Sequence, residues 1–440
     1  MGGSALAEWI TELEHPTPGF FRAFAAMAGA PEDAAREAVL RLAPAVDWAA
    51  YLPHIPHGLL GLQAAFRLRP LLRPASFQRI LATQLHAFAV ESRAPASHCL
   101  GAIGSGSGSW ANLQMALDHH RPAIAWGEAR AVALVQWEQF RLLERAAEAD
   151  MANVGHKSVL ARLLGELYLA LGQPAEAGRV MLALAAWQCA SEPFDRFWHE
   201  RAARRLEGSP GVAHRPAAET PEAHQVQVRE ICDTGLVDLL DRFSARVRAG
   251  GGSGDLLAVL ALAAAEKQLD ARRDLEGKTS WNFVVLATLA KRVAEAGSCP
   301  PESWVQAAAL VNLFPTGEDE DRPGPAPLRT APPDPAAALL DAVLDGEPNA
   351  AMGLAQALLE RDGADTALAV LAEAASVNDP AFNHSHQILA VAAVADLLPH
   401  LPDHARAVVL QAAAKALANG QGSSDLGRLA DAALRGAGSV

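Results

Sequence analysis

The chain has 440 residues, half of them apolar and only 5% aromatic, and a formal charge of −13. An acidic chain with no Lys/Arg block excludes nucleic acid and anionic membrane surfaces as partners, and no apolar run reaches the roughly 18 residues of a membrane helix. The four cysteines, Cys99, Cys189, Cys232 and Cys299, form no CxxC pair, which excludes a cysteine zinc or iron–sulfur site and suits a reducing, cytoplasmic setting.

Ala and Leu dominate the apolar set and β-branched runs are few, so the expected fold is all-α, a large multi-helix bundle. The length is compatible with one large domain or with two to three ordinary ones. We read residues 1–440 as a single helical domain, with candidate internal boundaries in the loops 208–222 and 315–335.

The segment 4–14 reads as a short helix, acidic and amphipathic, unlike a signal peptide. Helices at 20–29 and 32–43 follow. Next comes Tyr51-Leu-Pro-His-Ile-Pro-His57, a Pro-broken turn that leads into an apolar helix ending near Leu68. Helices are expected at 76–93, 110–120 and 127–148. The Gly/Ser segment Cys99 to Ser109 between the first two reads as a flexible loop, since it lacks the GKS/GKT ending of a phosphate loop and no strand precedes it.

A helix headed by His156 leads into Gly172-Gln-Pro-Ala-Glu-Ala177, which looks like the turn of a tetratricopeptide-like helix pair, although no 34-residue period accompanies it. Helices at 178–206, 224–248, 255–270 and 279–296 come next, and one opens at Pro300. Pro315 to Pro335 is acidic and then Pro-dense, which reads as a disordered segment or a surface excursion. Helices at 335–344, 350–361 and 364–375 lead to Asn383-His384-Ser-His386 and its helix, and two more complete the chain.

Three histidines head apolar helices. At offsets of 3, 8 and 11, His57 has Leu60, Ala65 and Leu68; His156 has Val159, Leu164 and Leu167; His386 has Leu389, Val394 and Leu397. Eleven residues are almost three turns, so each imidazole shares the buried face of its helix. Lys278 heads a fourth match, with Trp281, Leu286 and Leu289. Any one of these histidines is explained by a turn or a helix-start hydrogen bond. Together they point to a shared partner, because imidazoles buried in company need one, and neutral imidazole suits Zn, Cu, Fe or Ni. The second histidine of each pair is in phase, so the metal set reads His57, His156 and His386. Lys278, if carbamylated, or another histidine completes it; otherwise Lys278 is a surface lysine. His54 and His384 are candidates to line the pocket or to hydrogen-bond a ligand. His86, His98, His119 and His120 read as structural. No G-x-S-x-G elbow supports a serine hydrolase.

Pro53-His54-Ile-Pro-His57-Gly-Leu-Leu-Gly-Leu, Gly155-His156-Lys157 and Asn383-His384-Ser-His386 resemble, in order and wide spacing, the questin oxidase-like family. The Gly/Ser and Pro-rich inserts, and lysine rather than histidine at 278, depart from that pattern. The resemblance implies a helical, flavin-free oxygenase of anthraquinone-type polyketides, working by oxygen insertion or ring cleavage. It implies non-haem iron, with another transition metal as the alternative, and O2 as co-substrate. It also implies catalytic roles for His54 and His384. NAD(P)H is admitted as a co-substrate, although no dinucleotide fingerprint follows a strand. The expected partners are a small aromatic substrate and O2, with the chain a monomer or homodimer. The competing expectation is a helical-repeat, tetratricopeptide-like binding scaffold without catalysis.

Overall fold

Proline placement decides where many of the helices begin. In the computed structural model seven helices open on a proline, at Pro31, Pro74, Pro122, Pro221, Pro301, Pro335 and Pro348. A proline costs nothing there, because the first helical N–H has no intrahelical acceptor and the fixed φ is already helical. The structure describes residues 3–27, 29–47, 56–93, 97–147, 155–191, 196–271, 276–314, 332–377, 385–420 and 426–437.

Among these residues the fold is all-α. The first helices are α1 (Gly3–Glu14), α2 (Phe20–Met27), α3 (Pro31–Leu42), α4 (His57–Leu68), α5 (Pro74–Glu91), α6 (Trp110–Asp118), α7 (Pro122–Arg130) and α8 (Trp137–Ala146). Then follow α9 (His156–Ala170), α10 (Ala175–Cys189), α11 (Arg196–Leu206), α12 (Pro221–Asp233), α13 (Leu236–Arg248), α14 (Ser253–Asp270) and α15 (Glu276–Ala296). The last are α16 (Pro301–Leu313), α17 (Pro335–Leu344), α18 (Pro348–Asp362), α19 (Ala364–Ala375), α20 (His386–Leu397), α21 (Asp403–Asn419) and α22 (Leu426–Ala437). The described strands are two-residue pieces, β1 (Val212–Ala213) and β2 (Ser298–Cys299), paired antiparallel.

Four helices from distant parts of the chain form the centre. Helix α4 packs on α9, α9 on α15, α15 along α20, and α20 on α4. Their buried faces are rich in Ala, Leu and Val, whose small or straight side chains let the axes approach. Glycine brings α5 close to α4: a Cβ at Gly58 would lie 2.3 Å from the Phe88 amide nitrogen. Helices α9 and α10 form the hairpin expected at Gly172-Gln173, where both residues take positive φ.

Three expected helices are each divided. The stretch 127–148 breaks between Arg130 and Trp137, where the Tyr168 hydroxyl donates to the Val135 carbonyl (2.9 Å) and a Gln136/Gln139 capping box restarts the helix. The stretch 224–248 breaks at Thr234-Gly235, and 178–206 becomes α10 and α11. The 101–109 segment is not loose. The Glu128 carboxylate accepts from the N–H groups of Ser107 and Ser109 and from the Ser107 hydroxyl, so the loop is closed on an internal anion. The 208–222 segment is held by β1 and by Asp255, which accepts from the N–H groups of Ala218 (2.8 Å) and Glu219 (2.9 Å). Most of the 315–335 excursion lies outside the described residues.

Candidate metal centre

Each candidate metal histidine is the first residue of its helix. His57 follows Pro56, His156 follows Gly155 at φ +77°, and His386 follows Ser385 at φ +61°. In each case the preceding residue stops the helix from extending backwards, so the imidazole sits on the first turn. The three histidines lie together. The His57 ring centre is 4.9 Å from that of His386 and 6.0 Å from that of His156. His57 is buried, and His156 and His386 are half-buried.

The fourth place at this end of the bundle belongs to Trp281. Its indole stacks on His156 (4.2 Å between ring centres, 17° between planes) and stands 5.5 Å from His386 and 6.5 Å from His57. Trp281 is 2% exposed. The sequence pattern did not place Trp281 at this end. Lys278 lies one turn earlier in α15, and its side chain is not among those described. The residue at the rank of the histidines is Trp281. His54 and His384 lie outside the described residues.

The opposite end of the same four helices confirms the register. Arg67, Glu166, Lys291 and Asp396 each stand ten residues after His57, His156, Trp281 and His386. They form a circuit of contacts. Arg67 pairs with Asp396, Asp396 with Lys291 (2.5 Å) and Lys291 with Glu166 (2.8 Å), and Gln63 donates to Glu166 (2.6 Å). Both ends meet at matching ranks, so the four helices run in the same direction, their two ends about 15 Å apart. Between them, residues three to ten positions past the heads, among them Val284, Leu163, Thr288 and Ala393, enclose a cavity of about 20 Å³.

The three histidines offer donors of one kind at the head, but their ring nitrogens do not all lie within 4.8 Å of one another, so the rings would have to turn or close to share one ion. Metal–imidazole nitrogen bonds are about 2.1 Å, which puts the centres of two rings on one ion about 5 Å apart. The His57–His386 pair has that separation, while His57 and His156 are about 1 Å further apart. The donor type is the one that Zn, Cu, Fe and Ni share. Three helix N-termini also converge here, and their positive ends favour anionic ligands.

Glu91 was not expected at this site. Its carboxylate, at the last residue of α5, accepts from the Gly58 N–H (2.9 Å) at the start of α4. Burial pushes its pKa up to about 7, against the N–H groups of Gly58 and His57, which pull it down. A carboxyl that changes charge near neutral pH therefore touches the backbone of His57.

A second polar cluster also went unread. His224 Nε2 lies 3.1 Å from Asp255 Oδ1, and His224 Nδ1 lies 3.1 Å from His404 Nε2. Glu219 completes a group with metal-ligand chemistry. Its donors are already engaged: Asp255 accepts two backbone N–H groups, and Glu219 accepts from Arg246 and Gln227. The group is a satisfied hydrogen-bond relay that ties the 218–219 turn to α14 and α21.

In comparisons with known proteins, no family model, no curated protein and no solved structure matches this chain.

Proposed function

We propose that the protein is a non-haem, metal-dependent oxygenase that acts with O2 on a polycyclic aromatic, anthraquinone-like substrate, by oxygen insertion or ring cleavage. The observation that carries this reading is the meeting of His57, His156 and His386 at the starts of three parallel helices. The substrate class, iron as the metal and NAD(P)H as a further co-substrate come from the resemblance at those residues. His57, His156 and His386 would hold the metal, which would supply a site for O2 or a substrate oxygen and stabilise developing negative charge there.

The chain's own residues do the remaining work. Trp281 holds the plane of His156 by stacking. Pro56, Gly155 and Ser385 fix the helix starts from which the imidazoles project. The three helix N-termini favour negative charge at the same point. Glu91 holds or releases a proton at its carboxyl near neutral pH. His54 and His384 are assigned to act on the substrate. No described helix is long and apolar enough to cross a membrane, and all four cysteines are free thiols; a cytoplasmic monomer or homodimer is part of the proposal. A helical-repeat scaffold would account for the α9–α10 hairpin, but it has no use for three imidazoles gathered at one end of a bundle.

The test is metal content by plasma mass spectrometry on untagged protein, wild type against His156→Ala. About one iron or other transition metal per chain, lost in the variant, supports the proposal and leads to O2-uptake assays on anthraquinones. No metal after anaerobic reconstitution with Fe(II) overturns it.

A further inference from the structure

A second cleft lies near the ion-pair end of the bundle, against Ala290 and Val293 of α15. Its walls are the 214–217 segment, the start of α14, α16 and the Pro399–Pro402 turn, and its volume is about 330 Å³. That is at the low end of the roughly 300–1,000 Å³ typical of small-molecule sites. Its making is legible in the chain. Gly254 has no side chain, and a Cβ there would lie 2.3 Å from the Ala217 amide nitrogen, so the 214–217 segment can lie directly on the first turn of α14. The Gly254 N–H donates to the Arg215 carbonyl (2.8 Å), and the Ser253 hydroxyl accepts from the Arg215 N–H (2.9 Å).

The chemistry of the lining is one-sided. His214, Arg215 and His400 present nitrogen groups, and no Asp or Glu lines the cleft among the described residues. Trp304 also lines it; this residue is fully buried, and its Nε1–H has no acceptor among the described residues. A buried donor left without an acceptor is costly, and a ligand oxygen would satisfy it. The floor is apolar, made by Leu257, Val293 and Leu401. His400 is held below its ordinary pKa by burial first and then by the nearby His214, against the pull of Asp396. An anion seated between the two imidazoles would relieve that repulsion.

We infer that this cleft binds a small organic anion, a carboxylate carried on an apolar body, with Arg215 and the Trp304 N–H on the carboxylate and Leu257, Val293 and Leu401 against the body. A guanidinium and an N–H donor match the two oxygens of a carboxylate, and the floor selects against a bare inorganic ion. The inference does not depend on the metal reading, because none of these residues is at the histidine end.

The test uses the full chain with benzoate, its uncharged counterpart benzamide, and inorganic phosphate, followed by calorimetry and by indole N–H resonances in 15N-labelled protein. Benzoate is expected to bind one per chain, with benzamide at least about tenfold weaker. Arg215→Gln, at an exposed position that leaves the fold intact, is expected to weaken benzoate about tenfold or more. The indole N–H signal removed by Trp304→Phe should shift when benzoate is added. The inference is overturned if benzoate fails to bind at about 10 mM, if benzamide binds equally well, or if Arg215→Gln has no effect. Phosphate binding as tightly as benzoate also overturns it, in favour of a site that reads charge alone.

Discussion

The two ends of the central four-helix bundle use the same ranks of the same helices for opposite purposes. At one end stand His57, His156, Trp281 and His386; ten residues along stand Arg67, Glu166, Lys291 and Asp396. The charged end alternates in sign, and each group meets its complement, so it closes on itself and holds the helices in register. The aromatic end gathers like groups. Imidazoles in edge contact do not neutralise one another, and three helix N-termini point at the same place. A bundle needs only one of these ends to be held together. The difference teaches that self-complementarity marks the structural end and convergence of similar donors marks the candidate site.

The comparison can be broken by substitutions at matched ranks, ordered here by expected effect on stability. Asp396→Ala should cost the most, about 2–3 kcal/mol, because it takes a buried shared carboxylate from Lys291, which keeps Glu166, and from the partly exposed Arg67. Urea unfolding measures the loss, and metal per folded chain should stay unchanged; loss of metal as well would mean the two ends are not separable. Trp281→Phe should cost about 1–2 kcal/mol as a reduction in a buried aromatic. It should also lower metal affinity about 10–100-fold, because the support of His156 is weakened; competition with a chelator reads this.

The His224–Asp255 relay lies outside the bundle and gives a reference. Burial raises the Asp255 carboxyl, but the N–H groups of Glu219 and Ala218 and the His224 ring outweigh it and hold the pKa below the ordinary aspartate value. A carboxylate depressed in the folded state stabilises above the unfolded value, near 4, and that contribution disappears as pH falls through the lowered folded value. Asp255→Asn should therefore flatten the acid limb of the stability profile below pH about 4, as followed by urea midpoints at stepped pH. His386→Ala should have the smallest effect on stability, under about 1 kcal/mol for a half-buried residue, while removing the bound metal. If it destabilised the chain as much as Asp396→Ala does and left metal content unchanged, the aromatic end would be another structural contact.

Much of the site was visible in the chain. The three histidine-headed apolar helices were legible because a turn-breaking residue, an imidazole and a periodic apolar run leave a local pattern. The rank on α15 was not. Shifting a helix by three residues keeps nearly the same face towards the core, so Lys278 and Trp281 look equivalent by periodicity alone. The charges at Arg67, Glu166, Lys291 and Asp396 carried the missing register, since only Trp281 stands ten residues before its partner in that circuit. Glu91 was unreadable because its influence depends on reaching the start of α4 from 33 residues away. His224, Asp255 and His404 lie too far apart in sequence, 31 and 180 residues, to form any motif.

Sequence by itself determined the all-α class, the helix starts at prolines and the histidines that head α4, α9 and α20, because helix propensity, φ restriction and apolar period are all local properties. Only the tertiary structure decided that these heads meet, that Trp281 stands beside them, and that Arg215, His400 and Trp304 share a cleft. Those outcomes depend on which helices pack together and at what register, and packing is settled by complementarity over the whole core, which no single stretch of the chain contains.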